Sequence, residues 1–355
     1  MKGRVAILGR FLGREAAALV ENGRLEDLIV APPDGSPPGA GAVFRALPDR
    51  PAKGQGGVFL RLPGGVSGFL RETGGIAPGR PVIVQATGVA EPGKAAPLTR
   101  RVVFTGRLAI VTPGAPGRNI SRRVRDATDR ARLEAVLAGL PGGEEPGLIL
   151  RGAARSAEAG EIAAEIAALT DLCARVMSDL TGPPELLLDA PDPHERARRD
   201  WSDPPPDAVE SGDGAFADLG IDGMVADLLL PGVALAGGGS MTIEPTRALI
   251  AVDVNTGGDM SAAAGLKANI AAAHDLPRQL RLRGLGGQIT VDFAPMPKRH
   301  RPQIAEKLRA AFRAAGDDVT LAGWTPLGNF ELQRRRDSLP LARAIAVAGT
   351  GEPGP

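Results

Sequence analysis

Two short apolar runs, residues 248–252 and 288–291, each stop on an aspartate, Asp253 and Asp292, and a long helical stretch at 261–283 lies between them. Strand, helix, strand in that order is a βαβ unit, whose two strands run parallel as neighbours and carry their ends to the same edge of a sheet. A carboxylate ending a buried strand is costly unless something compensates it. Hard divalent cations such as Mg²⁺ do so, because they take one or two carboxylates together with waters and phosphate oxygens. The pair is therefore a candidate site for phosphate chemistry. Asn255 shares the face of Asp253 in an extended chain, where a neutral amide can orient a carboxylate or a water. Asp253-Val254-Asn255-Thr256-Gly257 is also a run of turn formers, and pattern alone leaves the plain-turn reading open.

With 355 residues the chain has room for about two to three domains of roughly 100–200 residues each. It holds 48 Gly and 32 Pro without a Gly-X-Y period, and 43% of its residues are hydrophobic. Collagen and wholesale disorder are excluded, and many turns with short strands are expected. The single cysteine, Cys173, can close no internal disulfide and supplies no cysteine zinc site, so the cytoplasm is the expected compartment. No apolar stretch approaches the roughly eighteen residues of a membrane span, and Arg4 and Arg10 interrupt any signal-like run. A net charge of +1 exerts no global pull on polyanions, so nucleic-acid binding would have to come from local patches. The three histidines, His194, His274 and His300, show no metal-ligand spacing. His300, beside Lys298, Arg299 and Arg301, reads either as a phosphate contact or as solvated basic surface.

Residues 4–8 read as a strand, and 16–20 with 25–30 as a hairpin closed by Asn22-Gly23, a pair that accepts positive φ at both turn positions. Short β-type runs at 42–44, 57–62, 66–70, 81–86 and 100–104 suggest a small barrel. Helical periodicity at 127–140 and 157–177 on either side of an apolar run at 147–151 reads as α/β. Residues 181–213, rich in Pro and Asp, read as poorly ordered linker or loop. Gly237-Gly238-Gly239 reads as a hairpin tip, a helix is predicted at 301–315 and a last strand at 319–322, and disorder is expected at 347–355.

The run from Ala248 to Gly257 with its Asp253-Val254-Asn255-Thr256-Gly257, the run from Arg278 to Gly287 with its Arg281-Leu282-Arg283, and Val291-Asp292-Phe293 together closely resemble the ribonuclease E/G family. Ile120-Ser121-Arg122-Arg123, Leu327-Gly328 and Glu331-Leu332 extend the likeness, whereas 184–230 lacks recognisable counterparts. The resemblance implies an α/β multidomain chain. Its parts would be a ribonuclease H-like subdomain (1–35, resumed in shortened form with a linker at 181–232), an inserted OB-type RNA-binding β-barrel (36–108), a 5′-sensor-like α/β segment (109–180) and a deoxyribonuclease I-like catalytic subdomain (233–346). It further implies a Mg²⁺-dependent endoribonuclease that cuts single-stranded RNA to 5′-phosphate and 3′-hydroxyl ends. Asp253 and Asp292 would hold one ion and Asn255 would orient them.

RNA contacts implied by the resemblance are Phe59, Phe69 and Lys94 in the barrel, Arg151 and Gly152 in the sensor, and Arg281 and Arg283. From the residues alone, each Phe fits barrel core as well as base stacking. The chain also departs from the family pattern. Ser338-Leu339-Pro340-Leu341 stands where a zinc-linking cysteine motif is expected, so no zinc and no zinc-linked oligomer are predicted. Gly152 replaces a hydroxyl residue, and Asp318 falls at about the place of a second sensing arginine, where an acid would repel phosphate. Ala271 replaces a helix glutamate, Pro295 replaces an acid, and Pro277 is expected to kink or break the helix. These departures keep a second reading open, an RNA-binding relative with weak or no turnover.

Overall fold

The computed structural model describes residues 1–346 apart from 53–55, 73, 78, 144 and 260; the tail expected at 347–355 lies outside the described residues. The chain forms two compact units, one of Met1–Gly35 with the chain from Glu210 onward, the other of Ser36–Val209.

The first unit opens with a three-stranded antiparallel meander, β1 (Arg4–Phe11), β2 (Arg14–Glu21) and β3 (Arg24–Val30). Asn22 and Gly23 both take positive φ, 49° and 81°, as a two-residue hairpin turn requires. Leu12 and Gly13 do the same at 50° and 76°. That first hairpin is hidden in the sequence because leucine is no turn former.

In the second unit, β4 (Val43–Ala52), β5 (Gly57–Arg61), β6 (Ser67–Leu70), β7 (Val82–Ala86) and β8 (Ala96–Thr99) close into a five-stranded barrel. The strand order is β4-β5-β6-β8-β7, and β7 pairs back onto β4. With β6 and β8 parallel, this is consistent with an OB-like barrel. Its interior is filled by Phe44, Val58, Leu60, Leu70, Val84 and Leu98.

A second sheet follows, ordered β11-β12-β10-β9 from β9 (Phe104–Thr105), β10 (Ala109–Thr112), β11 (Arg118–Ile120) and β12 (Gly147–Leu150). Helices α1 (Ala127–Gly139) and α2 (Ala159–Ser178) bury Leu133, Leu137, Ile162 and Ile166 in the core of this region. Residues 181–213, expected from their composition to be poorly ordered linker or loop, include three regular elements. They form β13 (Glu185–Leu188), which joins β4, then α3 (Pro193–Asp200) and β14 (Ala208–Ser211), the edge strand of the sheet β14-β1-β2-β3. Part of the Pro and Asp content is helix-start chemistry. Asp192 caps α3 by accepting from Glu195 N at 2.8 Å, Glu195 reaches back to Asp192 N, and Pro193 sits where no N–H is needed.

The first unit resumes with α4 (Ala215–Asp218) and α5 (Ile221–Leu229), whose Phe216, Ile221 and Val225 pack with Ile7, Ala18 and Val20 of the meander. It ends in a six-stranded sheet ordered β15-β16-β17-β18-β20-β19. The strands are β15 (Gly232–Ala234), β16 (Ser240–Pro245), β17 (Ile250–Asn255), β18 (Gly287–Asp292), β19 (Val319–Trp324) and β20 (Phe330–Arg334). Helices α6 (Ala262–Leu282) and α7 (Arg301–Ala315) share one core with its buried face. Gly237, Gly238 and Gly239, all at positive φ, turn β15 into β16. Pro277 does not break α6, which runs through it with the ring buried.

Replacing Asp192→Ala removes the α3 cap and is expected to cost about 1 kcal/mol of stability in denaturant titrations. A chain that was linker at this point would show no change.

Candidate functional site

Strands β17 and β18 alternate buried and exposed positions in phase. Val252, Val254, Ile289 and Val291 point into the core with α6 and α7, while Asp253, Asn255 and Asp292 lie exposed. The strands are parallel, as a helical crossover dictates, and Asp253 is the register partner of Asp292. Neighbouring strands run about 5 Å apart, and in-register residues share a face, so the two carboxylates stand side by side on the open face of the sheet. Asn255 lies on the same face and its Nδ2 donates to Asp253 Oδ2 at 2.6 Å. Among the described residues, that is the only hydrogen bond either carboxylate receives.

The two exposed carboxylates are hard oxygen donors of the kind that divalent cations take, and the Asn255 amide is bonded to one of them. Among the described residues no group of three or more His, Cys, Asp or Glu side chains could hold a metal. A site of this kind rests on two acids alone.

Both acid-bearing strands are held from behind by α6, which leaves β17 through a turn capped by Ser261, whose Oγ accepts from Ala264 N at 3.2 Å. Asn269 of this helix is completely buried. Its Nδ2 donates to Ala294 O and its Oδ1 accepts from Ala294 N, both at 2.9 Å, two residues past Asp292. This residue escapes a motif search. The signal in the sequence is a single polar side chain among Gly265, Ala268, Ala272, Ala273 and Leu276 on the apolar stripe of the helix.

The arginines that follow on α6 hold the helix to β3. Arg278 donates to Leu25 O at 2.6 Å, and Arg281 donates to Glu26 O at 2.9 Å with Asp27 3.6 Å away. Arg283 is buried, donating to Leu230 O at 3.0 Å and to Gln279 Oε1, and burial followed by the charge of Arg278 pulls its pKa down. Asp275 gathers Arg278, Gln279 and Arg24. Burial works to raise its pKa, but the hydrogen bonds and charge of these partners outweigh it and hold the carboxyl below the ordinary range.

In the barrel, Phe59 of β5 and Phe69 of β6 are register partners, each half-buried and outside the interior core, with ring centroids 5.5 Å apart. The Arg50 guanidinium lies 5.3 Å from the Phe59 ring centre. A Cβ on Gly57 would come within 2.6 Å of the Phe69 ring, so that position has room only for glycine while the ring lies there. Lys94, in the loop between β7 and β8, is exposed and pairs with Glu91 at 2.9 Å.

Arg151 and Gly152 follow β12. Arg151 donates to Gly106 O at 2.6 Å and Arg199 O at 3.1 Å and lies 3.6 Å from Asp200; burial lowers its pKa, against the pull of Asp200. A Cβ on Gly152 would fall 1.7 Å from an Asp203 carboxylate oxygen, and Arg155 pairs with the same carboxylate. Asp318, in the first unit, is exposed and lies 4.0 Å from Arg335.

The profile of the ribonuclease E/G family matches residues 103–213 and 207–337, more than half of the chain. Ribonuclease E of Escherichia coli K12 is 31% identical over 309 residues, covering 75% of this chain and 29% of that protein. Ribonuclease E of Haemophilus influenzae is 28% identical over 304 residues, 75% of this chain and 32% of that protein. Ribonuclease G of Escherichia coli K12 is 27% identical over 299 residues, 73% of this chain and 60% of that protein. The chain thus spans less than two thirds of each of these relatives.

Asp275→Asn should destabilise the protein by about 1–2 kcal/mol at pH 7, measured by urea unfolding, because it weakens the charge-assisted hydrogen bonds to the half-buried Arg278. A depressed carboxyl pKa contributes stability that is fully present above the unfolded value near 3.9 and is lost as pH falls through the folded value. The gap between variant and wild type should therefore shrink below about pH 4.

Proposed function

This chain belongs to the ribonuclease E/G family, and on that premise we propose that it is an endoribonuclease that cleaves single-stranded RNA to 5′-phosphate and 3′-hydroxyl ends, with Asp253 and Asp292 as ligands of one Mg²⁺ ion. The observation that carries the reading is the in-register pairing of two exposed aspartates at the carboxyl ends of parallel neighbours. Bound there, a divalent cation would ready water as the nucleophile and offset the charge that grows on the phosphodiester in the transition state. Asn255, through its bond to Asp253 Oδ2, holds that carboxylate in one orientation and leaves its second oxygen free to ligate. Phe59 and Phe69 offer ring faces on the outside of the barrel, where a stacked base is worth about 1–3 kcal/mol, and Lys94 adds a cation on a neighbouring loop.

The compartment we propose is the cytoplasm; among the described residues no helix is long and apolar enough to cross a membrane. We assign no zinc to the chain and no zinc-linked assembly. The second reading, an RNA-binding relative without turnover, draws on the neighbourhood of Arg151. Asp203 fills the space beside Gly152, and Asp200 faces the guanidinium, so the chain's own acids occupy the surroundings that a terminal phosphate would need.

Asp292→Asn should abolish Mg²⁺-dependent cleavage of a fluorescent single-stranded oligonucleotide while leaving RNA affinity nearly intact. A variant that cuts like wild type would overturn the mechanism, and a wild type that binds RNA without cutting in any divalent metal would establish the second reading. Substrates with a 5′-monophosphate and a 5′-hydroxyl should be cut at rates within about twofold of each other, less than half a kcal/mol of discrimination. Strong stimulation by the phosphate would show that Asp203 yields to it.

A further inference from the structure

The loop that leaves Asp292 is gripped by the helix that follows Asp253. Phe293 and Ala294 are buried, so the backbone groups of Ala294 have no water to turn to and each needs a partner inside the protein. Asn269 supplies both. Its amide answers the Ala294 N–H and C=O at 2.9 Å each, beyond the point where the β17–β18 pairing ends at Asp253 and Asp292. Only a side chain with a donor and an acceptor at this reach can do so; Asp cannot donate when ionised and Leu can do neither.

One turn earlier on α6, a Cβ on Gly265 would lie 2.5 Å from the Pro295 carbonyl oxygen, so the helix backbone closes directly on the next residue of the same loop. The Sδ of Met296 completes the grip, 3.4 Å from Asn269 Nδ2. Three consecutive loop residues are thus fixed to α6. Because α6 begins just beyond Asp253 and Asn255, one rigid element governs the exits of both acid-bearing strands.

We infer that Asn269 is a positioning residue of the acid pair: by pinning Ala294 to α6 it sets where Asp292 stands relative to Asp253 and thereby the affinity of the pair for a divalent cation. The inference rests on the metal-binding reading of Asp253 and Asp292. Outer residues that orient ligating side chains characteristically change metal affinity by about 10- to 100-fold when replaced.

The test is direct titration of Mn²⁺ into the full chain without RNA, followed by electron paramagnetic resonance, for wild type, Asn269→Leu, Asn269→Asp and Asp292→Asn. Asn269→Leu keeps the branched shape and loses both hydrogen bonds. Asn269→Asp, titrated at pH 8, keeps the shape and one acceptor but sets a charged carboxylate oxygen against the Ala294 carbonyl, and serves if the leucine variant does not fold by circular dichroism. The expected result is Mn²⁺ affinity weakened at least about tenfold in the folded Asn269 variant, with single-stranded RNA affinity in the absence of metal within about twofold of wild type. A folded Asn269 variant that binds Mn²⁺ like wild type, while Asp292→Asn loses it, overturns the inference and leaves the site reading standing. Wild-type Mn²⁺ binding that is indifferent to Asp292→Asn overturns both.

Discussion

Everything near the acid pair depends on the parallel, in-register pairing of β17 with β18. Strand side chains alternate with a period of two, so a slip of one residue would turn Asp292 into the core and bring Val291 to the open face. Val252, Val254, Ile289 and Val291 prevent that slip, because all four must remain against α6 and α7. The cost of displacing the apolar set thus holds two like charges next to each other on the opposite side. The acids stand together because the valines and isoleucine behind them have nowhere else to go.

Several arginines of this chain work as internal fasteners. Arg45, Arg283 and Arg334 are buried, and Arg118, Arg132, Arg151, Arg278 and Arg281 spend their N–H groups on backbone carbonyls, fastening helices and loops. Arg118 alone donates to five carbonyls at the end of α1 and the loop that follows. A guanidinium suits this use because its fan of donors can satisfy several helix-end carbonyls at once. An arginine-rich composition is then as much a feature of internal fastening as of phosphate recognition.

Much of the acid pair was legible in the sequence, because two apolar runs ending on aspartate and joined by a helical stretch permit few arrangements. The Asn22-Gly23 hairpin was legible for the same reason, local chemistry matching local geometry. What stayed hidden is what distant residues decide. Asn269 reads as an undistinguished helix residue until Ala294 lies against it, and Arg281 and Arg283 do not disclose that their partners are Glu26 and Leu230. The stretch at 181–213 hid its helix because Pro and Asp count alike in a composition whether they begin a helix, as Asp192 and Pro193 do, or sit in a loop. Gly152 was visible as a missing hydroxyl, but not that Asp203 fills the space it leaves.

The first unit is discontinuous: β1, β2 and β3 are made at the start of the chain, while the helices and sheet they pack with begin only at residue 210. The second unit is one uninterrupted stretch. During synthesis at about 5–20 residues per second, the meander waits on the order of ten seconds or more with its apolar side uncovered while the whole second unit emerges and can already fold. Ile7, Ala18 and Val20 therefore depend on late-arriving partners, and this interval is when the nascent chain is most exposed to aggregation or to capture by a chaperone.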